Sequence, residues 1–287
     1  MEIGNYIINA VETGTFALDG GAMFGVIPKN LWQKSCPADD QNRIDLALRA
    51  LLLQGHDRAI LVDCGIGTKF DPKWSEIYKI RLEQNNLHQA LAHFDLTPND
   101  ITDVILSHLH FDHAGGLTHY HNGTLQLTFP NARHYVQKEQ WEWALNPSQK
   151  DRASFLKENL LPLESSGRLH LLEDENIPVP EIELKRMYGH TPAMQLVQIS
   201  EHDRSLLYCA DLIPTRSHIP IPWVMAYDNH PMKTMQEKND ILKDAVKNNR
   251  LLFFEHDPEF PAGYVVYDER KGFSAGTSFS KSDFNTL

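Results

Sequence analysis

Cysteine is scarce in this chain, with three in 287 residues: Cys36, Cys64 and Cys209. That number and spacing exclude a disulfide framework or a zinc ribbon and fit small buried thiols in a cytoplasmic protein. Long apolar runs are also missing. Nothing approaches the roughly 20 residues needed to span a bilayer, and Met1-Glu2-Ile3-Gly4-Asn5 lacks the basic and then apolar layout of a signal peptide. No membrane partner is therefore expected. Basic residues are outnumbered, 27 against 38 acidic, for a net charge of −11, which argues against a nucleic-acid groove as the main business. Neither an internal repeat, nor a low-complexity tract, nor a linker interrupts the chain. With 41% apolar residues, a single domain over residues 1–287 is expected.

Histidine, in contrast, is plentiful, and it is concentrated. Of 15 histidines, three fall within His108-Leu109-His110-Phe111-Asp112-His113, directly after the β-type run Asp103-Val104-Ile105-Leu106-Ser107. In an extended segment, side chains two apart point the same way, so His108 and His110 can share an ion. Asp112 and His113 are adjacent and diverge unless the chain turns, and Ala114-Gly115-Gly116 offers the flexibility for that turn. The arrangement suggests two neighbouring metal ions rather than a chance surface cluster.

Before this motif, Gly20 to Pro28 is too apolar for a bare loop and too rich in Gly and Pro for a regular element. It reads as a lid, an interface loop, or a loop packed on its own core. Ile44 to Leu53 and Ala59 to Val62 read as a hairpin around Gly55-His56-Asp57-Arg58. Asn86 to Phe94 reads as an amphipathic helix, and Thr97 caps a short one with Pro98 at its first position. After the motif, helices are expected over Lys138–Leu145, over Arg152–Leu161 and within Pro231–Asn248. Strands are expected over Arg133–Val136, Glu181–Met187, Gln195–Ile199, Ser205–Cys209 and Leu251–Phe254.

Five of these β-type runs stop at, or just before, a potential ligand: Asp63, His108, His190, Asp211 and His256. A sheet brings the same ends of neighbouring strands together, and the loops there carry chemistry on a rigid base. Taken singly, His190 and His256 read as core histidines and Asp63 and Asp211 as turn or cap residues; taken together with the hexapeptide, they point to a site.

These residues resemble the metallo-β-lactamase superfamily: His108-x-His110-x-Asp112-His113, Gly189-His190-Thr191-Pro192, Asp211 and His256, preceded by Asp63, match its five motifs in order. The resemblance implies an α+β fold, an αββα sandwich with the metal site at one edge of two sheets. It also implies that His108, His110 and His190 hold one ion and Asp112, His113 and His256 a second, with Asp211 bridging both. Asp63 would orient the ligand loop without touching metal. Imidazole and carboxylate without thiolate suit zinc, with iron, manganese or cobalt also compatible. Two such ions would supply a hydroxide for attack on a carbonyl or phosphoryl centre, with Asp112 and Asp211 as the catalytic carboxylates.

Within the superfamily, Asp211 stands where many true β-lactamases carry Cys, and His110 where flavodiiron proteins carry Glu. The basic C-terminal pattern of glyoxalase II is not recognised here. The chain most resembles the branch of quorum-quenching lactonase-like and methyl parathion hydrolase-like enzymes, although Pro214 occupies the place of a lactonase tyrosine. Ala193 replaces the usual Gly after His-Thr-Pro, and Cys64 the usual Thr. The expected activity is hydrolysis of a small-molecule lactone or ester, or of a phosphotriester, with an apolar part. A mononuclear-iron dioxygenase acting on a persulfide is the alternative. Met23, Phe24, Ile27, Trp223 and Tyr227 are the candidate substrate-binding residues, and the same N-terminal loop could instead pair two copies into a homodimer.

Overall fold

The computed structural model describes residues 1–82 and 86–287. One mixed sheet carries β1 (Glu2–Ile3), β2 (Tyr6–Asp19), β3 (Arg43–Gly55), β4 (Arg58–Val62) and β5 (Asp103–Ile105). Past a separate hairpin of β6 (Thr118–His121) and β7 (Thr124–Leu127), it continues with β8 (Arg133–Gln137) and β9 (Leu169–Leu172). The second sheet runs in chain order through β10 (Ile182–Met187), β11 (Met194–Glu201), β12 (Arg204–Tyr208), β13 (Leu251–Phe253), β14 (Ala262–Asp268) and β15 (Gly272–Phe279).

The hairpin of β3 and β4 shows why the sheets face each other. His56 and Asp57 both take positive φ, 53° and 56°, the twist a two-residue hairpin turn requires. Leu51, Leu53, Ile60 and Val62 then point into a cluster shared with Leu184, Leu196 and Leu206 of the second sheet. Ala50, Leu52, Ala59 and Leu61 point the other way. With both faces buried, the strands lose polar alternation and read as continuous apolar runs. The outer face is covered by α4 (Leu87–Ala92), α6 (Lys138–Leu145) and α7 (Lys157–Glu164), which contribute Leu91, Trp141 and Leu160. On the far side, α8 (Pro231–Lys247) adds Ile241 and Leu242 to the inter-sheet cluster, and α9 (Lys281–Thr286) adds Phe284. The layering is αββα.

Several expectations need correction. Gly20 to Pro28 is not wholly irregular: α1 (Gly20–Phe24) forms there, with the Asp19 side chain accepting from Ala22 N–H, and α2 (Lys29–Trp32) follows. The helix expected over Arg152–Leu161 is broken, because Phe155 and Leu156 are extended between a single turn at Arg152–Ser154 and α7. Phe155 is buried there against the His110 ring, 4.8 Å between centroids, a tertiary contact that overrides the local helical pattern. The strand expected to run to Ser107 ends at Ile105. α3 (Pro72–Ile77), β14, β15 and α9 had no counterpart in the sequence reading.

Candidate metal centre

β4 and β5 run parallel in the first sheet, and β12 and β13 do so in the second; β10, antiparallel to β11, runs with β12. Their C-terminal ends form one edge. Asp63 follows β4 directly, while His108, His190, Asp211 and His256 each stand three residues beyond β5, β10, β12 and β13. The turn at the hexapeptide is α5 (Phe111–Ala114), a single helical turn with His110 at its N-cap. Gly115 and Gly116 serve close approach rather than flexibility: a Cβ on them would lie 2.0 Å from Ile66 O and 2.1 Å from Cys64 O.

Two groups of ligand atoms result: His108, His110, His190 and Asp211 in one, and Asp112, His113 and His256 in the other, all buried. His110 Nδ1 lies 3.0 Å from His108 Nε2 and 3.1 Å from His190 Nε2. His113 Nε2 and His256 Nε2 are 3.2 Å apart. The Asp211 carboxylate spans the groups: Oδ2 is 3.1 Å from His190 Nε2 and 3.6 Å from His113 Nε2, and Oδ1 is 3.4 Å from His256 Nε2. Asp112 Oδ2 is 3.7 Å from His256 Nε2 and 3.8 Å from His113 Nε2.

Ring nitrogens that converge this closely on a buried carboxylate fit a cation between them. Asp211 Oδ1 is buried and makes no hydrogen bond, a costly state unless a cation meets it. Burial, helped by neighbouring imidazoles, pushes His108 and His110 well below the ordinary range, leaving them neutral as ligands must be. At His190 burial also acts downward, but Asp211 and Asp228 outweigh it and raise the ring to about 9. The imidazole–carboxylate donor set suits divalent metal.

Around these groups lies a buried polar frame. Asp63, at φ 57°, accepts from Ser107 N–H at 2.7 Å and lies 3.1 Å from His113 Nδ1. Glu255 Oε2 is 2.9 Å from the same His113 nitrogen, and the Tyr208 hydroxyl lies within hydrogen-bond reach of both Asp63 and Glu255, with one proton to give. Burial pushes Glu255 up to about 7. Glu255 was missed from sequence; its signal was an acid immediately before His256 at the end of an apolar strand. Asp228, also missed, stands 2.9 Å from His190 Nδ1, and the Ala47 carbonyl 2.8 Å from His256 Nδ1. Cys64 donates through sulfur to His113 O at 3.1 Å, so the thiol keeps a hydrogen bond at the usual Thr position. Ala193 takes φ 53°, the left-handed region that favours glycine.

A cavity of about 270 Å³ opens over His110, Asp112, His190, Asp211 and His256. Met23 and Tyr227 line it, joined by residues not singled out from sequence, chiefly Leu18, Leu46, Tyr78, Phe111, Met225 and Lys150. Phe24, Ile27 and Trp223 do not. Phe24 is fully buried between Trp32 and His218, with Trp223 edge-on, and Ile27 packs on the same cluster. Burial, with Tyr78, Asp19 and Asp112 nearby, pushes the Tyr227 phenol up; burial and then Asp112 do the same to Tyr78.

This fold and site define a metallohydrolase class. Residues 49–256 match the metallo-beta-lactamase superfamily. The N-acyl homoserine lactonase AiiA of Bacillus thuringiensis subsp. kurstaki is 27% identical over 238 residues, covering 79% of this chain and 87% of that protein. A probable metal-dependent hydrolase from Staphylococcus aureus superposes with a TM-score of 0.88 at 31% identity, over 98% of both chains. AidC, a dizinc quorum-quenching lactonase, shares the fold with a TM-score of 0.80 at 22% identity, over 97% of both chains. The chain belongs to the metallo-β-lactamase superfamily and is one of its metal-dependent hydrolases.

Proposed function

We propose that the protein hydrolyses an uncharged lactone or ester, with phosphotriesters as a related class, at a dinuclear centre. The observation that carries this reading is the Asp211 carboxylate reaching both ligand groups. His108, His110 and His190 would hold one divalent ion, Asp112, His113 and His256 the other, and Asp211 both. Zinc suits the donor set best, with iron, manganese and cobalt compatible. Bound there, such ions supply Lewis acidity and lower the pKa of water toward neutrality.

The chain's own residues do the rest. Asp112, on the cavity floor, orients the attacking water and takes its proton. The water oxygen bonds to the carbonyl carbon, the acyl C–O bond breaks, and the proton passes to the leaving alkoxide. Leu18, Met23, Leu46 and Met225 exclude water from the acyl part and favour an apolar substrate. The volume of about 270 Å³ favours a small one. Asp151 lines the cavity, and the Lys150 ammonium is engaged by backbone carbonyls, so these two side chains give an anionic substrate no free cation.

The chain is read as one domain over 1–287, since a single apolar cluster runs from Ile3 to Phe284. A cytoplasmic location is consistent with its three free cysteines. No helix among the described residues is long and apolar enough to cross a membrane. Val26 is 90% exposed and Leu31 is exposed beside it; a second copy of the chain is the partner proposed for that N-terminal segment.

Zinc-loaded protein tested on lactones, aryl esters, phosphotriesters and an anionic phosphodiester checks the reading. Turnover of the neutral substrates is expected. Preference for the diester, or no turnover at full loading, would contradict it.

A further inference from the structure

The segment from Pro220 to Asn229 supplies Met225, Ala226 and Tyr227 to the cavity wall and Asp228 to His190, yet it has no regular structure beyond turns. Apart from short turn bonds and the backbone bonds of Ala226 N–H to Ala22 O, at 2.8 Å, and of Asn229 N–H to His190 O, it is held chiefly by side chains that reach it. At its start, the buried Lys238 of α8 donates to Pro220 O at 2.9 Å and Trp223 O at 2.8 Å. At its end, the connection between α6 and α7 takes over. Lys150 Nζ donates to Tyr227 O at 2.6 Å, Asp228 O at 3.0 Å and Asn229 Oδ1 at 3.3 Å. The neighbouring buried Asp151 accepts from Asn229 Nδ2 at 2.7 Å and from Trp143 Nε1, on α6, at 2.8 Å. Asn229 N–H in turn donates to His190 O at 3.0 Å.

The geometry points to Lys150, Asp151 and Asn229 as a latch: positioning residues that fix the cavity wall at Tyr227 and the ring of His190, through Asp228, from a different layer of the fold. An ammonium group carries three donors and no acceptor, so Lys150 meets three acceptors on adjacent residues at once. Asp151 makes the hold specific, because it ties the Asn229 amide to the α6 indole. The functional consequence rests on the hydrolase reading above; the structural one does not.

The test compares wild type with Lys150→Met, Asn229→Ala, the double variant and Lys150→Arg. Amide exchange across residues 225–230 is expected to speed up about tenfold or more in the double variant, as local opening becomes easier. Lys150→Arg keeps several donors and should exchange like wild type. With zinc present, KM for a neutral ester should rise and zinc affinity fall by about tenfold, the low end for a disturbed ligand partner. At saturating zinc, kcat should stay within about threefold, whereas simple loss of folded enzyme would lower kcat and leave KM unchanged. If the double variant does not fold, Lys150→Met, at an exposed position, gives the same readouts. Unchanged exchange in the folded variants would overturn the latch. Wild type that neither takes up zinc nor hydrolyses an ester would instead sink the hydrolase reading, with the latch still decided by exchange.

Discussion

Asp63 Oδ2, on the loop after β4, and His113 Nδ1, on the single turn of α5, lie 3.1 Å apart, both side chains fully buried and fifty positions apart in the chain. The pair fixes which ring nitrogen of His113 faces His256 and Asp211, because the other is engaged by Asp63 and Glu255. Holding an imidazole in one tautomer and orientation is what a metal ligand needs from the residues behind it.

Asp63→Asn keeps shape while removing the carboxylate charge behind His113. It should lower activity by about 10–100-fold, the usual cost of losing such a partner. Asp211→Ala should cost more, because that carboxylate faces His108, His113, His190 and His256 at once. Measuring kcat at matched metal occupancy decides this; equal losses would mean that the two carboxylates do not have the roles assigned.

Much of the site was legible because its residues are chemically distinctive and end apolar strands. His108, His110, Asp112 and His113 announce themselves by type and spacing, and Asp63, His190, Asp211 and His256 by where the β-type runs stop. Beyond Asp63, the frame behind them was not singled out. Tyr208 reaches Glu255 behind His113, and Asp228 reaches His190, only through tertiary packing. The cavity wall was half legible: apolar residues near a motif can face a ligand or a core, and Phe24 went to the core while Met23 went to the wall. β14 and β15 escaped notice because several of their side chains face solvent and Gly276 interrupts β15, which leaves no clear alternation to read.

Phe24 and Tyr227 therefore should behave differently under mutation. Phe24→Ala empties a fully buried aromatic site and should destabilise the fold by about 3–5 kcal/mol, read as a lowered unfolding midpoint in denaturant. Tyr227→Phe and Tyr78→Phe only remove hydroxyls at the cavity, and each should change kcat by less than about tenfold, or about 1.4 kcal/mol, if the ions stabilise the oxyanion. A much larger kcat loss in either variant would place a phenol in the mechanism. His218 is no substitute for that phenol: its nitrogens are engaged by Thr215 Oγ1 at 2.8 Å and Met23 O at 2.9 Å.

His134, fully buried on β8, introduces acid sensitivity away from the metal groups. Burial pushes it from 6.5 to about 4. The unfolded chain then binds more protons than the folded one between those values. The contribution to stability is complete above about pH 6.5 and is lost as pH falls toward 4, amounting to about 2 kcal/mol by pH 5. His134→Leu should flatten the fall in Tm between pH 7 and 5; parallel curves for the two proteins would refute this.

The claim on which the rest depends is that two ions share Asp211. Metal-free protein titrated with zinc, with elemental analysis and anomalous diffraction at full loading, tests it most directly. Two zinc ions per chain are expected, one among His108, His110 and His190, the other among Asp112, His113 and His256, both in contact with Asp211. A single occupied position at full loading, or one redox-active iron in the protein as isolated from cells, would contradict it.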